Sequence, residues 1–128
     1  MPKKILIVDD DSGVCNSLAM LLRGEGYSVD ATTDSGEAVA LIEKDRYDVY
    51  LFDYKMKGLN GKDLLKITKN VNPQCSVFIV SAMFNLEELC KKEIKSSLVT
   101  GVVSKPFDVE EVLQKIAALG SNNLIASL

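Results

Sequence analysis

Residues able to bind a metal ion or a phosphoryl group follow several short apolar runs of the chain. Asp9 and Asp10 end the first of these runs, and Asp53 ends a later one. Ser81 and Lys105 end the last two. Carboxylates held a few ångströms apart repel each other, and a divalent cation relieves that repulsion. If the ends of these runs lie together, they form a set of several carboxylates, one hydroxyl and one ammonium.

Oxygen ligands of this kind favour Mg²⁺, which often binds one or two carboxylates together with phosphate oxygens. The chain has no histidine, which disfavours zinc and copper sites and Ser-His-Asp triads. A carboxylate beside Mg²⁺ can attack phosphorus. The Lys105 ammonium can hold a phosphoryl oxygen, and the Ser81 hydroxyl can donate a hydrogen bond to it. The set therefore has the parts that phosphoryl transfer to an aspartate requires.

The composition is that of one soluble globular domain. The chain has 128 residues, 47% of them apolar and 26% charged, with a net charge of −3 and a pI of about 5.0. The acidic balance argues against contact with nucleic acid. No apolar run approaches the ~20 residues that cross a bilayer, and the N-terminus lacks the features of a signal peptide. Three cysteines without metal-ligand spacing favour a reducing cytoplasm.

Predicted strands and helices alternate along the sequence. Apolar runs bounded by polar residues predict strands over residues 5–8, 29–32, 49–52, 77–80 and 102–103, and the second is the most polar and so belongs at an edge. An amphipathic helix follows each strand. The fourth helix is predicted to be capped by Asn85 and to have apolar members up to Ile94.

Five strand–helix pairs predict an α/β fold with a five-stranded parallel sheet in the order 2-1-3-4-5, flavodoxin-like and doubly wound, with helices on both faces. Parallel strands bring their carboxyl ends to one edge of the sheet, so the residues that end the apolar runs should meet there. We expect one domain over residues 1–119. The last helix is expected to end at Gly120–Asn123, and residues 120–128 to be a C-terminal tail or the start of a linker.

Short motifs at these strand ends also resemble a known family. They are Ile5–Asp10, Asp53 with Met56 and Gly61, Ser81-Ala82, and Lys105-Pro106-Phe107. Together they are similar to the CheY-like receiver domain of bacterial two-component response regulators, and the resemblance covers residues 4 to about 119. Each motif alone is weak, but all of them occur in order, each at a strand end.

The resemblance implies a role for each acidic residue. Asp53 would be the phospho-acceptor and would also contact the metal ion. Asp9 and Asp10 would anchor Mg²⁺, and the backbone carbonyl of Lys55 would be a further ligand. We therefore expect Mg²⁺ as the cofactor.

The resemblance also implies how phosphorylation is used. Ser81 would be the switch hydroxyl, and Lys105, often followed by a cis-proline bond, would contact the phosphate. The chain would be a cytoplasmic signalling switch rather than an ordinary enzyme, with self-catalysed phosphorylation and dephosphorylation at Asp53. Its partners would be a sensor histidine kinase or phosphotransfer protein and a protein target that the sequence does not identify. It would be a monomer or a phosphorylation-dependent dimer, without nucleic-acid or membrane contact.

Two departures from the family pattern leave alternatives open. Lys57 stands where a proline usually follows Met56, and Val102 stands where an aromatic residue usually acts as a rotating switch. These changes allow a degenerate receiver that binds a partner without phosphorylation. A Mg²⁺-dependent phosphatase with an aspartyl nucleophile is a weaker alternative, because Lys55 occupies the place where such enzymes usually carry a second carboxylate.

Overall fold

The chain folds as an α/β structure with a five-stranded, all-parallel sheet in the order β2-β1-β3-β4-β5. This computed structural model describes the backbone of residues 3–127 and the side chains of residues 3–119. The strands are β1 (Lys4–Val8), β2 (Ser28–Thr32), β3 (Val49–Asp53), β4 (Ser76–Ser81) and β5 (Gly101–Ser104). The helices of the described part are α1 (Ser12–Gly24), α2 (Ser35–Lys44), α3 (Gly61–Val71), α4 (Leu86–Leu89), α5 (Lys91–Lys95) and α6 (Val109–Ser127). The fold class and strand order predicted from the sequence are confirmed.

The strands form a continuous apolar layer because helices cover both faces of the sheet. Alternate residues of a strand point to opposite faces, so each strand contributes to two cores. Leu6 and Val8 pack in a core with α2, α3 and α4, whereas Ile5 and Ile7 pack in a second core with α1 and α6. The two cores fix the strands from both sides, and the carboxyl ends of the strands share one edge.

Polar side chains fix the beginnings of the helices that follow the first three strands. Asp11 caps α1, and Asp34 caps α2 by accepting a hydrogen bond from the backbone of Glu37. Asn60 and Asp63 form a capping box at the start of α3. These caps set the direction of the chain just after the strand ends.

The predicted fourth helix is divided into two short helices. The apolar spacing from Leu86 to Ile94 predicts one helix, but α4 ends at Leu89 and α5 begins at Lys91. The backbone departs from helical geometry at Cys90, with φ −103° and ψ 11°. The apolar positions keep their helical spacing across this break, so the sequence pattern could not locate it.

The last helix extends further than predicted. The run from Gly120 to Asn123 predicts a helix end, but α6 continues to Ser127. A glycine costs about 1 kcal/mol in a helix relative to alanine, which is not enough to end every helix. The domain boundary after residue 119 and the interpretation of residues 120–128 as a tail or linker stay predictions, because the side chains from residue 120 onward and all of Leu128 lie outside the described residues.

Among the helices of residues 3–127, none combines the length and the apolar content that crossing a bilayer requires.

Candidate functional site

Three carboxylates meet where the first and third strands end. The pairing of β1 with β3 places Val8 beside Phe52, so the residues that follow, Asp9 and Asp53, lie next to each other. Oxygens of Asp9, Asp10 and Asp53 lie within 4.8 Å of one another. Asp9 and Asp53 are buried, with 3% and 7% of their surface exposed, whereas Asp10 is exposed. The result is an acidic cluster, open to solvent on the side of Asp10.

Lys105 reaches this cluster from the edge strand β5. Its Nζ lies 2.5 Å from Oδ2 of Asp9 and 3.1 Å from Oδ2 of Asp53. The lysine side chain is largely buried, with 17% of its surface exposed. The lysine therefore bridges two carboxylates that belong to two different strands.

The charges of the cluster are not balanced by this one lysine. Burial raises the pKa of Asp9 above its ordinary value, the negative charge of Asp53 adds to that rise, and the hydrogen bond from Lys105 opposes it. Burial alone would lower the pKa of Lys105, but its hydrogen bonds to Asp9 and Asp53 outweigh burial, and the pKa is raised. Lys105 stays protonated at neutral pH, while Asp9 ionises less readily than an exposed aspartate. A bound cation would relieve this excess of negative charge.

The acidic run after β1 has two separate roles. Oδ1 of Asp11 accepts hydrogen bonds from the backbone of Gly13 at 2.9 Å and of Val14 at 3.2 Å, which caps α1. Asp9 and Asp10 belong instead to the acidic cluster. Helix capping therefore accounts for only the last of the three aspartates.

Ser81 lies at the end of β4, between the strands that contribute Asp53 and Lys105. Asp53 pairs with Val80, and Ser81 is the next residue. Its carbonyl accepts a hydrogen bond from the Lys105 N–H at 2.8 Å. Its hydroxyl oxygen is buried and accepts from the Met83 N–H at 3.4 Å. Among the described residues no acceptor pairs with the hydroxyl proton of Ser81, so this proton is available to a ligand.

The chain folds back sharply after Asp53. The Lys55 N–H donates to Oδ1 of Asp53 at 3.4 Å, and the Lys55 side chain is exposed. Gly61 then donates from its backbone to the Tyr54 carbonyl at 3.0 Å. A Cβ atom on Gly61 would lie 2.5 Å from the backbone oxygen of Asp53, closer than real Cβ atoms approach any neighbour. A glycine is needed at this position because α3 begins directly against the end of β3.

The two positions that depart from the family pattern, Val102 and Lys57, differ in their exposure to solvent. Val102 is half-buried and packs against the core beneath α4, and Lys57 is exposed. The Lys105–Pro106 peptide bond is cis, as the resemblance implies. One contact near the site was not expected from the sequence. The Ser35 hydroxyl on α2 donates to the Lys57 carbonyl at 3.2 Å, and nothing in the local pattern around Ser35 signals it.

The donor set fits Mg²⁺. It consists of carboxylate oxygens, the hard ligands that this ion prefers, and includes no thiolate. The three cysteines are buried free thiols. Cys15 lies beside the site, where its Sγ donates to the backbone carbonyl of Asp9 at 3.2 Å, and burial raises the pKa of this thiol to about 11, so it stays protonated at neutral pH.

Comparisons with known proteins agree with this geometry. The sequence model of the response regulator receiver domain matches residues 5–117. Sporulation initiation phosphotransferase F of Bacillus subtilis is 31% identical over 125 residues, which are 95% of this chain and 99% of that protein. The probable transcriptional regulatory protein TcrX of Mycobacterium tuberculosis is 30% identical over 121 residues, which are 92% of this chain and 50% of that protein. The chain spans about half the length of several curated relatives that it matches.

A solved structure supports the same assignment. The CheY-like receiver domain protein of Methanospirillum hungatei superposes with a TM-score of 0.83 at 30% identity, covering 92% of this chain and 93% of that one. The sequence match, the strand order and the acidic cluster point to one family. The chain belongs to the response regulator receiver domains, the phospho-acceptor signalling domains of two-component systems.

Proposed function

We propose that this chain is a phosphorylation-dependent switch in which Asp53 accepts a phosphoryl group with the help of Mg²⁺. The observation that carries the proposal is the meeting of three carboxylates and the Lys105 ammonium at the ends of three strands. Asp53 is the best candidate for the acceptor because it ends the central strand β3 and so lies in the middle of the site. The acidic pair Asp9 and Asp10 flanks it on one side, and Ser81 flanks it on the other.

The metal ion would be held by Asp9, Asp10 and Asp53, with the Lys55 carbonyl as a further ligand. When bound, Mg²⁺ supplies positive charge that offsets the repulsion between the attacking carboxylate and the phosphoryl oxygens. Burial is the main cause of the raised pKa of Asp9, and the charge of Asp53 adds to it, so a cation bound here would favour the ionised form of Asp9.

In the transfer, a carboxylate oxygen of Asp53 forms a bond to phosphorus, and the bond from phosphorus to the donor breaks. The donor atom leaves with the electron pair of that bond. Lys105 stabilises the charge on the transferred group, because its Nζ already lies 3.1 Å from Asp53 Oδ2. The Ser81 hydroxyl, which donates to no acceptor among the described residues, would donate a hydrogen bond to the phosphoryl group. The added charge then favours one of two conformations of the domain.

The donor would be a phosphohistidine on a sensor kinase or a phosphotransfer protein in a bacterial cytoplasm. The name of the Bacillus subtilis relative describes a phosphotransferase, which supports transfer of a phosphoryl group as the reaction. Three buried free thiols are consistent with a reducing compartment. The output would be binding to a protein target or a phosphorylation-dependent dimer.

Intact mass spectrometry tests the proposal. The protein is incubated with MgCl₂ and acetyl phosphate, and we expect it to gain one phosphoryl group. Asp53→Asn should gain none. Asp45→Asn is the matched control, because this partly exposed aspartate pairs with Lys4 at the opposite end of the sheet and should be phosphorylated as the wild type is.

The other outcomes separate the alternatives. Phosphorylation of the Asp53→Asn variant would show that the acceptor lies elsewhere. A chain that binds Mg²⁺ but never gains mass would be a degenerate receiver that acts through binding alone. Release of phosphate from a broad panel of phosphate esters would identify a phosphatase instead.

A further inference from the structure

The segment that follows Asp53 is held by a side chain from a distant helix. This segment, residues 54–60, is called the acceptor loop below. Ser35, the first residue of α2, is buried with 9% of its surface exposed. Its hydroxyl donates to the Lys57 carbonyl at 3.2 Å and accepts from the Leu59 N–H at 3.2 Å. One hydroxyl therefore connects the two residues on either side of Gly58.

The shape of the loop fits this hydroxyl. Gly58 has a φ of +79°, a conformation that residues with a Cβ rarely adopt. A Cβ on Gly58 would lie 2.6 Å from the Ser35 Oγ. The bare Cα of Gly58 thus allows both the turn and the close approach of the hydroxyl.

Ser35 is itself held firmly. The backbone N–H of Asp34 donates to the hydroxyl of the buried Thr32 at 3.1 Å, at the end of β2. The Asp34 side chain accepts from the Glu37 N–H at 2.9 Å and so caps α2. The hydroxyl that contacts the acceptor loop is therefore fixed to the edge of the sheet.

Among the described residues, Ser35 alone connects the acceptor loop by hydrogen bonds to an element other than the adjoining β3 and α3. Within the part of the chain that the structure describes, its remaining hydrogen bonds stay inside residues 53–64. They join Lys55 to Asp53, Gly61 to Tyr54, and the loop end to the start of α3. The two bonds to Ser35 are the loop's hydrogen bonds to a different part of the molecule, while Tyr54, Met56 and Leu59 pack against the apolar core.

We propose that Ser35 is a positioning residue for the phospho-acceptor site. By fixing residues 57–59, its hydroxyl holds the preceding residues of the loop, so that Asp53 and the Lys55 carbonyl keep the arrangement that binds Mg²⁺ and accepts the phosphoryl group. This inference rests on the proposed function of Asp53. Ser35 touches neither the acceptor nor the metal ligands, and its effect passes through the loop backbone.

The test compares Ser35→Ala with the wild type in three measurements. We expect a weaker Mg²⁺ affinity by calorimetric titration, faster amide hydrogen exchange at Leu59, and phosphorylation by acetyl phosphate that is slower by about tenfold, since small displacements of reacting groups are costly. Ser35→Thr, which keeps the hydroxyl, should restore most of the rate. Denaturation curves confirm that each variant is folded under the assay conditions.

A matched control is Ser96→Ala. The Ser96 hydroxyl also bonds to backbone carbonyls, of Lys92 and Glu93, but it lies at the end of α5. Its removal should leave the Mg²⁺ affinity and the phosphorylation rate unchanged. If Ser35→Ala gave the wild-type rate and the wild-type Mg²⁺ affinity, the positioning role would be wrong.

A double-mutant cycle with Gly58→Ala tests the direct contact. The added methyl clashes with the Ser35 hydroxyl, and this clash is absent in the Ser35→Ala background. The two substitutions should therefore slow phosphorylation by less than the product of their separate effects. Independent effects would contradict a contact between the two positions.

Failure of this inference can be told apart from failure of the proposed function. If the wild type is not phosphorylated on Asp53, the proposed function is wrong. The Mg²⁺ titration still tests whether Ser35 positions the metal ligands. Equal Mg²⁺ affinities of the wild type and Ser35→Ala would overturn the positioning role in that case. A wild type that neither binds Mg²⁺ nor gains mass would contradict both.

Discussion

Asp10 and Asp11 are adjacent in the sequence, but substituting them should affect two different properties. Because Asp11 caps α1, Asp11→Ala should lower the free energy of unfolding by about 1 kcal/mol and leave Mg²⁺ affinity unchanged. Asp10 belongs to the acidic cluster and is exposed. Asp10→Ala should weaken Mg²⁺ binding and change the metal-free stability by less than about 0.5 kcal/mol. Urea denaturation and calorimetric titration measure the two properties, and two variants with the same profile would contradict this division.

The raised pKa of Asp9 predicts a pH-dependent effect on stability. A carboxyl whose pKa is higher in the folded than in the unfolded chain binds its proton more tightly when folded. Its contribution to stability is therefore present at low pH and is lost as the pH rises from the ordinary value of 3.8 through the raised value. Asp9→Asn lacks this titration and resembles the protonated carboxyl at every pH.

Without metal, Asp9→Asn should therefore gain stability over the wild type as the pH rises from below 3.8 to neutral. Urea denaturation in EDTA at a series of pH values measures this difference. MgCl₂ at neutral pH should reduce it, because the ion binds the folded wild type more tightly than the variant. A difference that stays constant with pH would show that burial of Asp9 does not govern its ionisation.

At the level of single residues, the sequence predicts which side chains meet but not how they divide their roles. Asp9, Asp53 and Lys105 could be placed together because each follows a strand of a parallel sheet. The separate role of Asp11 depends on where α1 begins, and three consecutive aspartates offer no signal for that boundary. The contact of Ser35 depends on how α2 packs beside a loop more than 20 residues away, which no local pattern encodes.

Among the elements, β3 and α3 meet at a junction that leaves no room for a side chain at Gly61. Gly61→Ala would place a methyl 2.5 Å from the Asp53 backbone oxygen and 3.1 Å from the Tyr54 Cα. Backbone atoms cannot rotate away, so we expect a loss of about 1–3 kcal/mol in the free energy of unfolding. Phosphorylation of Asp53 should also slow, because the strand end must move.

Gly24→Ala is the matched control for this substitution. Gly24 is the last residue of α1, and a Cβ there would meet nothing within 4 Å. Alanine favours the helix by up to about 1 kcal/mol over glycine, so this variant should be as stable as the wild type or more stable. Urea denaturation compares the two variants, and equal losses from both would show that the contact at Asp53 has no cost.

Most of the elements can be predicted from apolar periodicity. The structure differs from the prediction where periodicity gives no signal for a helix break or a helix end. All five strands were predicted from short apolar runs because helices bury both faces of the sheet. The break at Cys90 was missed because its neighbours keep helical spacing. The end of α6 was misplaced because Gly120 makes a helix less favourable without ending it.

In the whole molecule, the site is built from strands that differ in the number of neighbouring strands to which they are hydrogen-bonded. The interior strands β1, β3 and β4 have hydrogen-bonded neighbours on both sides, whereas β5 pairs with β4 alone. Lys105 directly follows β5, and its ammonium bonds to Oδ2 of Asp53. A strand with a single ladder can shift at a lower cost than one between two neighbours. A new negative group on Asp53 would therefore pull, through Lys105, on an edge strand of the sheet, and a change at the buried acceptor would alter the outer surface of the domain around β5.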